Sequence, residues 1–532
     1  GNERFGVDLM HKYFDTIAAG PGFAWEEFFA LGRENPADLQ EPFCMTVLAI
    51  RLSAYSNGVS KLHGDVSRTM WKQIWPDLPE DEIPITHITN GVHSRSFLSA
   101  ELTELLDRYF GPRFYDEPTN TAIWERMDRI SDEEIWRTHE IRKNKLVSFA
   151  RKRLKDQLLH RGASQAKMLY ADEVLSPYTF TISFARRFAT YKRATLLFRD
   201  PDRLRRLLTN PDRPVQIIFA GKAHPHDIPG KNLIKDIVHF ASDPEIRSKI
   251  VFLENYDLEI AKHLVSGSDI WLNTPRRPME ASGTSGMKAA INGVLNCSIL
   301  DGWWDEGYDP EVGFAIGAGE EYADEEIQDE IESKLLYDLL EREIIPTYYE
   351  RGRDGLPRDW IRRMKSSMQS LGGRFSTSRM LTEYSETFYL PALKNYDRVS
   401  KNSHQIPRDL ADYTQRLRAV WDTVSVFDIT GGSGRNLKVG ESFSVECRVH
   451  LGEIAPEEVA VQLYTGRINA EGELVSPRLV EMKPGAADEQ VYVYKTKVRC
   501  ETAGRQGYAV RVVPSHRDLV HPYLPGLLRW NS

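Results

Sequence analysis

Five short apolar runs, each closed by a loop and followed by a helix-like stretch, dominate the middle of this chain. They are Tyr178 to Phe184, Val215 to Ala220, Ile250 to Leu253, Asp269 to Asn273 and Asn296 to Leu300. Runs this short, with little polar alternation, read as strands buried on both faces. Strands that alternate with helices build a parallel, doubly wound α/β sheet. Ligands of such sheets bind outside the carboxyl ends of the strands, so the chemistry is expected in the loops just after these runs.

The flanks have a different texture. Residues 1–165 read mainly as helices. Among them Leu146, Phe149, Ala150, Leu154 and Leu158 recur at helical spacing between many Lys and Arg, the pattern of an amphipathic helix with a solvated basic face. Residues 376–425 read as helices with Met380, Tyr384, Phe388 and Tyr389 as the apolar stripe. After a Gly-Gly-Ser-Gly turn or linker at 431–434 the period changes to two: Phe443, Val445, Cys447, Val449 and Leu451 alternate with polar residues. Val491 to Val498 and Tyr508 to Val513 repeat the pattern, which predicts a small antiparallel β-sandwich. The expected domains are therefore 1–165, 166–375, 376–425 and 426–532.

Composition excludes several classes. With 41% hydrophobic and 27% charged residues the chain is an ordinary globular one. Its net charge of −8 gives no overall field for nucleic acid or an anionic membrane, so neither is expected as a partner. Four distant cysteines, Cys44, Cys297, Cys447 and Cys500, form neither a disulfide framework nor a zinc knuckle, and point to a reducing, cytoplasmic setting. No stretch reaches the roughly 20 apolar residues of a membrane span.

Three segments carry candidate chemistry. Arg186-Arg187-Phe188-Ala189-Thr190-Tyr191-Lys192-Arg193 follows the first predicted strand. Guanidinium forks and an ammonium at a strand's carboxyl end suit phosphate oxygens, or else form a solvated cationic helix start. Gly221-Lys222-Ala223-His224-Pro225-His226 follows the second, where Gly lets the backbone approach a ligand; two histidines without a third ligand do not make a metal site. Glu280-Ala281-Ser282-Gly283-Thr284-Ser285-Gly286-Met287-Lys288 places small residues before a helix. Such a loop exposes backbone donors to an anion. Lys288, in an apolar setting, is a candidate amine for a Schiff base with pyridoxal phosphate, although Gly-rich turns before helices also occur without any ligand.

At this last segment the chain resembles the α-glucan phosphorylases, the glycogen, starch and maltodextrin phosphorylase family. The pattern Glu-Ala-Ser-Gly-Thr-x-x-Met-Lys is present at Glu280 to Lys288. The Lys-Arg-x-x-x-Tyr-Lys-Arg pattern matches Arg186 to Arg193, with Arg for the first Lys. Gly221-Lys222-Ala223, Leu253-Glu254-Asn255-Tyr256, Asn57-Gly58-Val59 and Thr89-Asn90-Gly91-Val92 match further signatures in order, while Asp301-Gly302-Trp303-Trp304-Asp305-Glu306 is closer to the shorter bacterial and archaeal branch.

The resemblance implies a two-lobed, Rossmann-like glycosyltransferase of GT-B type with a C-terminal β-sandwich. Its reaction would be retaining phosphorolysis of α-1,4-glucans to glucose 1-phosphate, with pyridoxal 5′-phosphate as cofactor and α-glucan and inorganic phosphate as partners. Lys288 would hold the cofactor, with Thr284, Ser285, Arg186 and Lys192 on its phosphate and Tyr256 along its ring. Arg187 would bind the substrate phosphate, and Arg187, Lys192 and Lys288 would be the catalytic set. Asn57, Tyr191, Glu280, Ser282 and Gly283 would bind the terminal glucose.

The beginning at Gly1 resembles the middle of the family's catalytic domain. Residues 1–165 would then be the remnant of the N-terminal Rossmann-like lobe, residues 166–375 the C-terminal lobe with the cofactor site, and residues 376–425 crossover helices. A homo-oligomer or a companion chain carrying the remaining part is the expectation this raises. Two rivals stay open on the sequence: a sugar-nucleotide glucan synthase of the same fold, and a non-catalytic glucan-binding chain using Trp303, Trp304 and Trp421 as sugar platforms.

Overall fold

The computed structural model describes residues 2–19, 24–432, 436–470 and 472–531. Ser433 and Gly434 of the expected linker lie outside the described residues. The chain forms two compact units, one of residues 1–56, 67–86 and 387–532, the other of residues 57–66 and 87–386. These limits cut across the sequence boundaries at 165 and 375: residues 87–165 belong to the same unit as the parallel sheet.

The second unit is built on six parallel strands: β1 (Phe180–Phe188), β2 (Val215–Ala223), β3 (Ile250–Leu253), β4 (Ile270–Asn273), β5 (Leu295–Ile299) and β6 (Gly313–Ile316). Their order across the sheet is 3-2-1-4-5-6, the doubly wound order that reverses direction between β1 and β4. Side chains alternate between two apolar layers. Phe180, Ile182, Phe184, Ile217 and Phe219 enter one cluster, and Ala185, Ile218, Ala220, Val251 and Trp271 the other. That double burial explains why the strands read as continuous apolar runs.

Four readings are corrected here. β1 and β2 run on to Phe188 and Ala223, so Arg186, Arg187 and Lys222 are strand residues and not loop residues. The ladder continues past the point where burial ends, and polar side chains do not interrupt it. β6 was not expected; its four residues Gly-Phe-Ala-Ile are too short to stand out. The basic face of the helix Asp132–His160 is not all solvated, since Arg142 is 3% exposed and Lys143 1%. Lys143 Nζ meets Asp269 Oδ2 at 2.5 Å and the Tyr348 hydroxyl at 2.7 Å, while His139 Nε2 meets Asp269 Oδ1 at 2.7 Å. This buried network ties the helix to the residue just before β4. The expected stripe at 376–425 is likewise uneven: Phe388 is buried and Tyr389 is 60% exposed.

The other unit ends in two four-stranded antiparallel sheets. Central strands of both, Ser442–His450 and Val459–Ile468 among them, send Val445, Cys447, Val449, Val461 and Leu463 into one apolar cluster. The alternation seen in sequence is thus an inside–outside pattern. Among the described residues no helix is long and apolar enough to cross a membrane.

Candidate functional site

β1 pairs with β2 from Phe180–Val215 to Phe188–Ala223, but with β4 through Ile182–Ile270 and Ser183–Trp271. Beyond those pairs β1 and β4 part, at the reversal of strand order where doubly wound sheets bind ligands. Three charged side chains converge there. Arg186 Nη2 donates to Glu280 Oε2 at 2.9 Å, and Lys192 Nζ donates to the same oxygen at 2.7 Å. All three side chains are close to nine-tenths buried, with relative exposures of 9%, 8% and 12%. Burial alone would raise the Glu280 carboxyl, but Arg186 and Lys192 more than reverse it and hold the group below its ordinary range. Two cations on one carboxylate leave a net positive site. Moreover, Arg186 keeps Nε and Nη1 buried with no acceptor, donors that an anion would satisfy.

The run of cations divides by position. Arg187 is exposed, one residue on from Arg186 and so on the other face of the strand. Its register neighbour on β2 is Lys222, also exposed. Neither has an ion pair among the described residues. Arg193, by contrast, is spent on structure: it pairs with Asp329 and Glu332 and donates to the carbonyls of Thr274 and Pro275. Tyr191 lies under the Lys192 ammonium, 4.8 Å from Nζ to the ring centroid. Burial pushes the Tyr256 phenol up to about 12 despite the opposing field of Arg186.

The loop from Glu280 to Thr284 is held by its own backbone. The N–H of Glu280 donates to Asp301 Oδ2 at 2.9 Å, that of Gly302 to Asp301 Oδ1 at 2.8 Å, and that of Trp303 to the Ser282 carbonyl at 3.0 Å. Gly302 has φ +57°, and a Cβ there would lie 2.4 Å from the Ser282 oxygen. Burial pushes the Asp301 carboxyl up to about 7, against the pull of the two N–H groups it accepts. Asn57 reaches the same neighbourhood through its segment. Its Nδ2 donates to the Tyr384 hydroxyl at 2.8 Å, and nearby Ser60 Oγ donates to the Ala281 carbonyl at 2.6 Å. Gly283 lies against Glu280: a Cβ on it would be 3.5 Å from Oε1.

Past this loop Thr284 begins the short helix Ser285–Ala290 without using its side chain as a cap. Ser285 Oγ accepts from Trp271 Nε1 at 3.1 Å. Lys288 is half-buried, and burial brings its amine below the ordinary lysine range. Its Nζ lies over the Phe97 ring, 4.3 Å from the centroid, and has no carboxylate partner among the described residues. Hydrogen bonds and ion pairs thus join Arg186, Lys192 and Glu280 directly, with Ser282 and Gly283 on the loop of Glu280 and Asn57 on the strand Ser56–Gly58, whereas Lys288 and Arg187 stand free of that cluster. Trp303, Trp304 and Trp421 are 2%, 1% and 2% exposed and pack in cores, which overturns their reading as sugar platforms. Sequence reasoning missed the anchoring role of Asp301, although an Asp-Gly pair directly after a strand is a usable turn signal.

A doubly wound α/β unit with a cationic, partly unsatisfied cluster at its strand-order reversal is suited to hold an anionic group. The sequence model described as carbohydrate phosphorylase matches residues 37–314, and the one described as glycogen phosphorylase C-terminal domain matches residues 421–532. The chain belongs to the carbohydrate phosphorylase family. It is 40% identical to the maltodextrin phosphorylase of Thermococcus litoralis over 544 aligned residues, covering 100% of this chain and 62% of that protein. It is 38% identical to the glycogen phosphorylase of Mycobacterium tuberculosis over 525, covering 97% and 60%. Against the glycogen phosphorylase of Aquifex aeolicus it is 42% identical over 360, covering 68% and 51%. The chain therefore spans about three fifths of the length of the first two curated relatives.

Proposed function

We propose that the chain contributes to retaining phosphorolysis of α-1,4-glucans, with inorganic phosphate as acceptor and glucose 1-phosphate as product. Relatives named for maltodextrin and glycogen support this substrate class. The observation that carries the reading is the Arg186–Glu280–Lys192 cluster, with two buried guanidinium donors still unused. In the same reading the chain holds parts of the two lobes of a GT-B glycosyltransferase, with residues 87–165 packed in the unit that carries the parallel sheet, 376–425 as crossover helices and 426–532 as a β-sandwich.

The residues present fit pyridoxal 5′-phosphate. Lys288 offers an amine of lowered basicity with no carboxylate on it. Arg186 and Lys192, with Thr284 and the backbone of Ser285, would hold the cofactor phosphate, and Tyr256 would line the ring. When bound, the cofactor supplies a phosphate group able to exchange a proton with the substrate phosphate.

The chain's own residues have three tasks. Arg187 is an exposed cation available to inorganic phosphate. Together with Arg186 and Lys192 it offsets the repulsion of two neighbouring anions, a large effect in a partly dry site. Glu280 stays ionised under its two cations, so it accepts hydrogen bonds from glucose hydroxyls and is not the proton donor. Tyr191, Asn57, Ser282 and Gly283 complete the sugar contacts, and the 301–303 turn keeps that loop in place.

Incubation of the purified chain with pyridoxal phosphate, borohydride reduction and peptide mapping tests the assignment. The label is expected on Lys288, and Lys288→Ala should take up none. Label on another lysine, or uptake by Lys288→Ala, removes the reading. Arg187→Ala should keep the label, and in a preparation that forms glucose 1-phosphate it should raise the phosphate concentration required.

A further inference from the structure

Asn292 is fully buried, and its amide spans two segments distant in sequence. Its Nδ2 donates to the Phe97 carbonyl at 2.8 Å and to the Lys288 carbonyl at 2.9 Å, and its Oδ1 accepts from the N–H of Ser99 at 3.0 Å. Its backbone carbonyl accepts from Arg142 Nη1 at 2.6 Å, which ties the same point to the helix Asp132–His160. A buried amide with every group engaged fixes both ends it joins. The ends are the short helix Ser94–Phe97 and the helix carrying Lys288, whose Nζ lies 4.3 Å from the Phe97 ring centroid.

We propose that Asn292 is a positioning residue for Lys288, holding the Phe97 ring over its amine so that the ammonium is parked in one place. The proposal rests on the reading of Lys288 as the cofactor lysine. The face of an aromatic ring attracts a cation, and more strongly where water is thin. The ring therefore stabilises the charged amine in part against the burial that opposes it. Burial is the one cause of the downward shift of this amine. With neither a salt bridge nor a hydrogen bond to fix Nζ among the described residues, the ring is the contact that sets where the amine waits.

The test is competitive acylation of the chain across pH, with the Lys288 peptide read by mass spectrometry. Phe97→Leu keeps the site apolar but removes the ring face, and should lower the Lys288 midpoint by roughly half a pH unit. Phe97→Tyr should restore it. Asn292→Ala should lower the midpoint in the same direction, and adding Phe97→Leu to it should lower it little further, the signature of coupled residues. An unchanged midpoint in Phe97→Leu overturns the proposal by itself, even if Asn292→Ala does not fold. Full additivity of the two changes, or a shift in Phe97→Leu without one in Asn292→Ala, overturns the role of Asn292. The measurement needs no cofactor, so failure of the cofactor-lysine reading, seen as a chain that never takes up pyridoxal phosphate, is told apart from failure of the Phe97 and Asn292 contacts, seen as unchanged midpoints.

Discussion

Glu280 places one oxygen between two buried cations, and the balance of the cluster depends on that oxygen's charge. Removing one partner of a buried, hydrogen-bonded charge cluster leaves the others uncompensated, typically at a cost of about 3–5 kcal/mol. Glu280→Gln should therefore lose stability on that order in urea denaturation, and an unchanged midpoint would show that the cluster is looser than the 2.7 and 2.9 Å contacts imply. Asp301 predicts the opposite pH behaviour from an ordinary carboxylate. Its folded pKa, about 7, lies above the unfolded value, so its contribution is fully present below about pH 4 and is lost as the pH rises to 7. The stability difference between the parent chain and Asp301→Asn should shrink over that window by on the order of a few kcal/mol, then stay flat. Denaturation midpoints at pH 5, 6, 7 and 8 check it, and a difference that grows with pH refutes the assignment. At this scale the sequence was legible in the charges it places near one another: Arg186, Lys192 and Glu280 stand out in the string, and they meet in the fold. It was not legible where position alone confers the role. Arg187 and Arg193 look alike in the string, yet one is exposed and the other is consumed by Asp329, Glu332 and two carbonyls.

Among the elements, the turn after β5 bears most directly on the site, because it fixes the loop that begins at Glu280. Gly302 combines φ +57° with a carbonyl oxygen 2.4 Å from where a Cβ would stand. Gly302→Ala must strain its own backbone, push the Ser282 carbonyl away, or both. The expected loss is about 2 kcal/mol or more, together with slower labelling of Lys288 by pyridoxal phosphate if the loop shifts. A variant as stable as the parent in urea would show that the turn relaxes freely. Five of the six parallel strands could be read from the string because burial on both faces leaves an unbroken apolar signature. Their carboxyl ends could not: hydrogen bonding carries β1 through Arg186 and Arg187 to Phe188, and side-chain polarity does not report backbone pairing. The Asp132–His160 helix misled for a related reason. Its Lys143 is buried because Asp269, more than a hundred residues later, supplies the compensating charge. No local pattern contains that fact.

On the scale of the whole molecule, every residue proposed above to hold cofactor, phosphate or glucose falls in the unit made of residues 57–66 and 87–386. The unit that ends in the antiparallel sheets has its own apolar cluster, and Leu463 is fully buried within it. Two cores that share no residue can open separately, since local stability follows local burial. Leu463→Ala removes apolar volume from one of them and should cost about 2–5 kcal/mol there. Hydrogen exchange separates this from a global effect. Amides of the strands Ser442–His450 and Val459–Ile468 should exchange faster, while those of Ile182 in β1 and Ile217 in β2 keep the parent's rates. Labelling of Lys288 should be unchanged in the same variant. If protection in β1 and β2 falls in step with the antiparallel sheets, the chain unfolds as one cooperative body, and Lys288 then depends on a core with which it shares no side chain.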